Sequence, residues 1–323
     1  MADKSSNDKS GERIAKVMAR AGLASRREAE AWIAEGRVSV NGQVISSPAL
    51  NVTGADRIVV DGAPMPRRER TRLFLYNKPR GLVTTHSDPE GRPTIFGTLS
   101  SKLPRLISVG RLDINTEGLL LLTNDGGLAR QLELPATAWL RRYRVRANGR
   151  VEQAALDGLR DGVSIDGVHY GPIEAIVERA QGANVWLTFA IREGKNREVR
   201  KVLESLGLRV NRLIRVSYGP FMLGDLPEGE VKEVETAALR TELGEKIVRE
   251  SGADFTAPLV SDEERAPRKR PAAPPPVARQ REDVTEWHSP GQRDEPPRPA
   301  KKKRPVRRDR SKSGPRPAYP RSK

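Results

Sequence analysis

ISVGRLDINTEGLLLLTNDG, running from Ile107 to Gly126, sets one acidic residue, Asp113, between an Arg-bearing approach (Val109, Gly110, Arg111, Leu112) and the unbroken apolar run Leu119–Leu122. A run that short and that apolar predicts a buried strand. Asn124, Asp125 and Gly126 after it predict a tight turn, because these residues tolerate left-handed backbone. The stretch therefore reads strand, loop, buried strand, turn, with Asp113 on the loop. A loop held between two core strands suits chemistry, since the scaffold fixes the side chain while leaving it reachable. By spacing alone, an Asp in such a place is most often a cap or an Asx-turn.

Two flanking segments bear on that choice. Arg141 to Ala147 (RRYRVRA) alternates, so Tyr143, Val145 and Ala147 share one strand face and arginines take the other. A strand Tyr is ordinarily a core residue with a satisfied hydroxyl. Farther on, Arg192 to Lys201 (REGKNREVRK) leads into Val199, Val202, Leu203 and Leu206 at helical spacing, with Gly207 as the stop. Gly194-Lys195 is not a phosphate loop, because Phe189 stands where that pattern needs Gly and Asn196 where it needs Ser or Thr.

The segment Gly110–Gly126 resembles the active-site signature of the RsuA/RluB family of ribosomal-RNA pseudouridine synthases. The resemblance extends over about Glu12 to Arg249 and is carried also by Asn77-Lys78-Pro79-Arg80-Gly81 and by Gly194 to Arg200. It implies an isomerase that detaches uracil from its sugar at N1 and rejoins it through C5, using no metal or other cofactor. It implies that Asp113 is the catalytic carboxylate, that Tyr143 lies against the target base, and that Arg200 pairs with Asp113. Lys78, Arg111, Lys195, Asn196 and Arg197 become candidate substrate or RNA contacts. Lys201 and Val202 depart mildly from the more basic and bulkier pair common in the family.

The N-terminal part predicts a separate small domain. Ile14, Val17, Met18 and Ala21 fall on one helical face closed by Gly22; Ser25 to Glu28 is a capping box opening a second helix; and Asn41-Gly42 between Val38–Val40 and Gln43–Ile45 signals a hairpin. This helix-helix-hairpin order, with Arg20, Arg26, Arg27 and Arg37 around it, resembles the αL-type RNA-binding module, in which such residues track phosphates. A solvated basic face is the plainer reading of the same charges.

Composition narrows the classes. The net charge of +16 and pI near 10.4 favour a polyanionic partner. The absence of Cys excludes thiol nucleophiles, disulfides and thiolate-zinc sites, and His86, His169 and His288 lack ligand spacing. With no signal peptide and no apolar run near the ~18 residues that span a membrane, a soluble cytoplasmic monomer is expected. From Ala257 to Lys323 there are 19 Lys/Arg against 9 Asp/Glu, and 14 of the 25 Pro, which predicts a disordered basic tail.

The expected architecture is α+β: an RNA-binding domain over 12–64, a catalytic domain over 73–250 with a mixed, mostly antiparallel sheet flanked by helices, and the tail over 257–323. Leu208 to Ser217 is expected to be a strand showing Arg209, Arg212 and Arg215 outward. The expected partner is ribosomal RNA or a pre-ribosomal particle, with no membrane. The extended basic tail and the N-terminal module resemble the RluB-type enzymes acting on large-subunit (23S) ribosomal RNA more than the small-subunit RsuA type. The alternatives are a small-subunit synthase, a non-catalytic RNA binder, and a glycosidase pairing Asp113 with Glu117.

Overall fold

The computed structural model describes residues 11–260; the expected tail, apart from its first four positions, lies outside the described residues. Near the N-terminus, helices α1 (Ile14–Arg20) and α2 (Arg26–Ala34) pack Ile14, Met18, Ala29 and Ile33 into a small apolar core. The capping box forms as expected: Ser25 Oγ accepts from the Glu28 amide, and the Glu28 carboxylate accepts from the Ser25 amide. Strands β1 (Val38–Val40) and β2 (Gln43–Val44) make the hairpin, with Asn41 and Gly42 both at positive φ, as a type I′ turn requires. β3 (Ile58–Val60) and β4 (Ala63–Pro64) complete a four-stranded sheet.

The second and larger sheet has nine strands. Its main path uses β5 (Leu73–Lys78), β7 (Glu117–Thr123), β8 (Arg141–Asn148), β9 (Ile173–Gln181), β10 (Asn184–Ile191), β11 (Arg209–Tyr218) and β13 (Val231–Glu233), with β6 (Ile107–Ser108) and β12 (Phe221–Met222) as short additions. The order across it is β9-β10-β8-β11-β7-β5-β13. All neighbours run antiparallel except β11 and β7, which meet in parallel at Ile214↔Glu117 and Arg215↔Gly118. Two antiparallel halves thus join at one parallel seam. Gly118 is obligatory at that seam: its φ is +95°, and a Cβ there would lie 2.4 Å from the Arg215 carbonyl oxygen.

β7 is buried along its whole length, as its apolar run predicts. Even-numbered Leu120 and Leu122 join the core with Tyr143 and Val145, while Leu119 and Leu121 face the other side. There they are covered by α3 (Gly126–Glu133) and α6 (Thr236–Ser251). The first core is closed by α4 (Gln153–Asp157) and α5 (Glu198–Ser205).

Two expectations need correction. Asn124, Asp125 and Gly126 do not adopt left-handed backbone. Asp125 instead caps α3, its Oδ1 accepting from the Gly127 and Leu128 amides, while the Asn124 amide group bonds the main chain of Arg70 and Arg72. On β11, Arg215 is not outward but 3% exposed. Residues 209, 212 and 215 have a period of three, which a strand of period two cannot hold on one face.

The segment between the two sheets, 65–72, is not a free linker. Arg68 Nη2 donates to Asp125 Oδ2 at 2.6 Å and to the Gly252 carbonyl, and Thr71 Oγ1 donates to the same carboxylate oxygen. Arg20 of α1 reaches across to the Ser251 carbonyl. Ala257 and Pro258 accept bonds from Arg70, so ordered contacts continue past α6.

Candidate active site

Asp113 stands on the loop 109–116 that feeds β7 at the parallel seam. Every carbonyl from Leu112 to Thr116 is held by a donor. Thr84 Oγ1 bonds Leu112 O at 2.8 Å, the Thr116 amide bonds Asp113 O at 3.0 Å, and the Gly81 amide bonds Ile114 O at 2.8 Å. Arg200 Nη2 bonds Asn115 O at 3.1 Å, and Lys78 Nζ bonds Thr116 O at 3.0 Å. The backbone is thereby fixed from the Lys78–Thr84 segment on one side and from α5 on the other. The Asp113 side chain, by contrast, accepts no hydrogen bond among the described residues, so it is neither a helix cap nor an Asx-turn. It is 37% exposed, with Arg197 Nη1 4.0 Å from its Oδ2.

This carboxylate opens into a cleft of about 940 Å³, lined among others by Arg111, Asp113, Tyr143, Arg197 and Arg215. That volume lies at the upper end of small-molecule sites and suits a nucleotide. Tyr143 is 8% exposed and lines the cleft, with Phe189 and Arg215 as its partners on the neighbouring strands. Arg197 sits at φ +53°, an uncommon conformation for a non-Gly residue, at the N-cap of α5.

The expected direct pair between Asp113 and Arg200 is corrected by the geometry. Within 4.0 Å the cation at Asp113 is Arg197, and Arg200 directs its donors to the carbonyls of Asn115 and Val210. Arg200 nonetheless stays electrostatically coupled to Asp113. Burial pushes its pKa below the ordinary guanidinium value, Arg197 adds to that push, and Asp113 opposes it.

Lys78 also departs from its expected place. It is fully buried, bonded to the carbonyls of Pro79 and Thr116, and out of reach of RNA. Burial lowers its pKa to about 8, against the pull of Asp113 and Glu117. Its role is to pin the Asp113 loop from below while leaving positive charge nearby.

Arg111, Lys195 and Asn196 line the cleft as exposed rim residues, although Lys195 is already tied to the Glu193 carboxylate and the His169 carbonyl. In the small domain, Arg26 and Arg27 are exposed at the start of α2. Arg37 is not available in the same way: Asp61 holds it through two bonds of 2.8 and 2.7 Å, Glu35 through a third, and its guanidinium lies 4.6 Å from the Trp32 ring centre.

Sequence reasoning missed Arg141, Arg215 and Glu198. Arg141 is 9% exposed and fastens the 192–193 turn through the Arg192 and Glu193 carbonyls while bonding Tyr218 Oη. Arg215 donates Nε to Leu119 O at 2.7 Å and leaves Nη2 buried without a partner. Glu198 accepts from the Lys195 amide, and burial raises its pKa. Parity held the signal for Arg141, which falls on the same strand face as Tyr143. Glu117 takes no part in the cleft, because Arg212 clamps both its oxygens and turns it away; this removes the paired-carboxylate glycosidase reading.

Comparison with known proteins decides what the arrangement belongs to. Residues 12–58 match the S4 domain family, and residues 72–205 match the RNA pseudouridylate synthase family. An uncharacterized RNA pseudouridine synthase of Rickettsia felis is 45% identical over 228 residues, which span 71% of this chain and 99% of that one. The chain belongs to the RNA pseudouridine synthases. The ribosomal large subunit pseudouridine synthase B of Pseudomonas aeruginosa is 43% identical to the enzyme, over 81% of this chain and 70% of its own. That of Pasteurella multocida is 41% identical, over 77% and 75%. A solved crystal structure of a pseudouridylate synthase aligns at a TM-score of 0.48 and 28% identity, covering 70% of this chain and 97% of the other. Among the described residues no helix is long and apolar enough to cross a membrane, and no three metal-ligating side chains converge.

Proposed function

We propose that the enzyme converts a specific uridine of large-subunit ribosomal RNA to pseudouridine, with Asp113 as the reacting carboxylate and Tyr143 as the platform for an extruded base. The observation that carries this reading is the contrast at the loop: a backbone whose carbonyls from Leu112 to Thr116 are all bonded, bearing a carboxylate that accepts no hydrogen bond among the described residues, has only Arg197 at 4.0 Å, and faces a nucleotide-sized cleft. Such an arrangement fixes the backbone that carries a reacting group while leaving its side chain open to substrate.

In the reaction the N1–C1′ bond breaks, a C5–C1′ bond forms, C5 loses a proton and N1 gains one, so no atom is added or lost. Asp113 serves either by bonding to the sugar or the ring or by stabilising the detached sugar, with Arg197 as the cation beside it. A base stacked in folded RNA has to leave its stack to reach this carboxylate, and Tyr143 offers it a face. The large-subunit assignment rests on the names of the Pseudomonas and Pasteurella relatives.

The test is the isosteric Asp113→Asn variant. Pseudouridine formation is expected to fall by about 10³-fold or more, equivalent to roughly 4 kcal/mol of barrier, while RNA affinity stays within twofold. Product formed at the normal rate refutes the role. Mapping pseudouridines in ribosomal RNA from cells with and without the protein names the subunit, and a site lost from the small-subunit RNA alone overturns that assignment.

A further inference from the structure

The cleft uses one face of the large sheet. The opposite face is covered by α3 and α6 over β5, β7 and the Tyr218 end of β11, through the apolar cluster of Leu73, Leu119, Leu121, Leu128, Tyr218 and Leu239. Over β8, β9 and β10 it exposes Arg142, Arg144, Arg146, Glu174, Ile176 and Arg179 among the described residues. Register places one cross-strand rung there: Arg212 pairs with Arg146, Arg146 with Trp186, and Trp186 with Arg179. Four strands therefore present three guanidinium groups and an indole in a single row. In the next rung Arg144 and Ile176 flank Thr188, and Ile176 is 57% exposed.

The charges in this row are not equivalent. Arg212 is neutralised by Glu117, and Arg144 by Glu178. Arg142, Arg146 and Arg179 are exposed and form no ion pair among the described residues. Trp186 is half-buried, with Arg144 4.7 Å and Arg179 5.9 Å from its ring centre. A solvated basic strand has no need of a tryptophan between its arginines. A partner that is at once anionic and aromatic matches both features, and RNA supplies phosphates and bases at that spacing.

We propose that this back face is a second RNA-docking surface, on which Arg146 and Arg179 contact phosphates of a single-stranded segment and Trp186 stacks a base. It extends the functional reading above by giving the substrate RNA a foothold remote from the cleft, so that an extended ribosomal RNA is held more tightly than a minimal stem-loop. The surface is separated from Asp113 by the thickness of the sheet and takes no part in the chemistry.

The experiment uses the full chain and a uridine-free oligoadenylate, which offers the cleft no substrate. In the double variant R146Q/R179Q, the slope of log K against log salt is expected to fall by about 1.4, two single-strand phosphates at ~0.7 each, and affinity near physiological salt to drop by about tenfold. Ultraviolet cross-linking of the unaltered protein to the same oligomer should mark the 179–190 peptide at Trp186. Turnover on a short stem-loop containing the target uridine should be unchanged in the double variant. An unaltered salt slope, or cross-links confined to other peptides, overturns the proposal, as does capture of an acidic protein by this face with no effect on RNA. Absence of pseudouridine formation by the unaltered protein refutes the functional reading and leaves the binding result to stand by itself.

Discussion

On the cleft side of the sheet, Arg141, Arg200 and Arg215 are buried and direct their donors to main-chain carbonyls; on the back face, Arg142 and Arg146 stand in solvent and form no ion pair among the described residues. The residue type is the same and two of these side chains are sequence neighbours. A buried guanidinium is held by several fixed bonds and acts as part of the framework, adding a charge that water does not screen. An exposed one is screened within about 8 Å at physiological salt, and its use is to attract polyanions. The difference predicts that cleft-side substitutions change turnover and that surface substitutions change affinity.

The strongest expected break of that comparison is Arg200→Met. Removing a positioned donor and charge of this kind typically costs about 10² to 10³-fold in turnover, and RNA affinity should hold within twofold. Arg200→Lys should recover little, because an ammonium cannot reach the Asn115 and Val210 carbonyls together as the guanidinium does. Single-turnover kinetics beside equilibrium binding separates the two quantities. If Arg200→Met loses affinity in proportion to rate, it belongs with the surface arginines.

Next in size is Tyr143. Base stacking on an aromatic ring is worth about 1–3 kcal/mol, so Tyr143→Ala should lower turnover by roughly 5 to 150-fold. Tyr143→Phe keeps the ring and should retain most of the rate unless the hydroxyl acts in the proton transfers. Near-full turnover by the Ala variant excludes the stacking role.

Lys78 sharpens the comparison through pH. Its folded pKa, about 8, lies below its ordinary value of 10.5. Between those values the unfolded chain binds a proton that the folded chain has released, so stability rises with pH across this window, by at most about 1.4 kcal/mol per pH unit. Below pH 8 both states are protonated and the cost of burying the charge is carried in full. Denaturant midpoints measured from pH 8 to 10 should show this rise in the unaltered enzyme and a flatter course in Lys78→Met. Parallel curves would mean that the amine titrates normally.

What the sequence disclosed follows the range over which each feature is determined. The Ser25–Glu28 capping box, the Asn41-Gly42 turn and the Leu119–Leu122 strand are settled within a few residues, and each formed where the pattern put it. The cleft was legible at Asp113 and Tyr143 through resemblance and through alternation. It was less so at Arg197 and Arg200, because which of them faces the carboxylate depends on the left-handed backbone at Arg197, and no spacing rule encodes that. Arg215 was misplaced when a period of three was read onto a strand. Lys78 reads as a substrate contact through the resemblance, whereas its amine is bonded to the Thr116 carbonyl 38 residues away, which no local pattern encodes. Long-range pairs, rather than local propensity, decide which charged residues are framework and which are surface.

The small domain offers the finest version of the same contrast. Arg37 and the pair Arg26 and Arg27 look alike as basic residues of one module, yet Arg37 is engaged by Asp61, Glu35 and Trp32, whereas Arg26 and Arg27 point into solvent. Neutralising Arg26 or Arg27 should therefore reduce the salt slope of RNA binding by about 0.7 to 0.9 for each phosphate lost. Arg37→Ala should leave that slope alone and lower the stability of the module slightly, by less than about 1 kcal/mol, since its ion pairs are partly exposed. Salt titrations of the three variants on one RNA decide it. If Arg37→Ala flattens the slope as much as Arg26→Ala does, its carboxylate partners release it to phosphate on binding, and the side chain changes from framework to reader when RNA arrives.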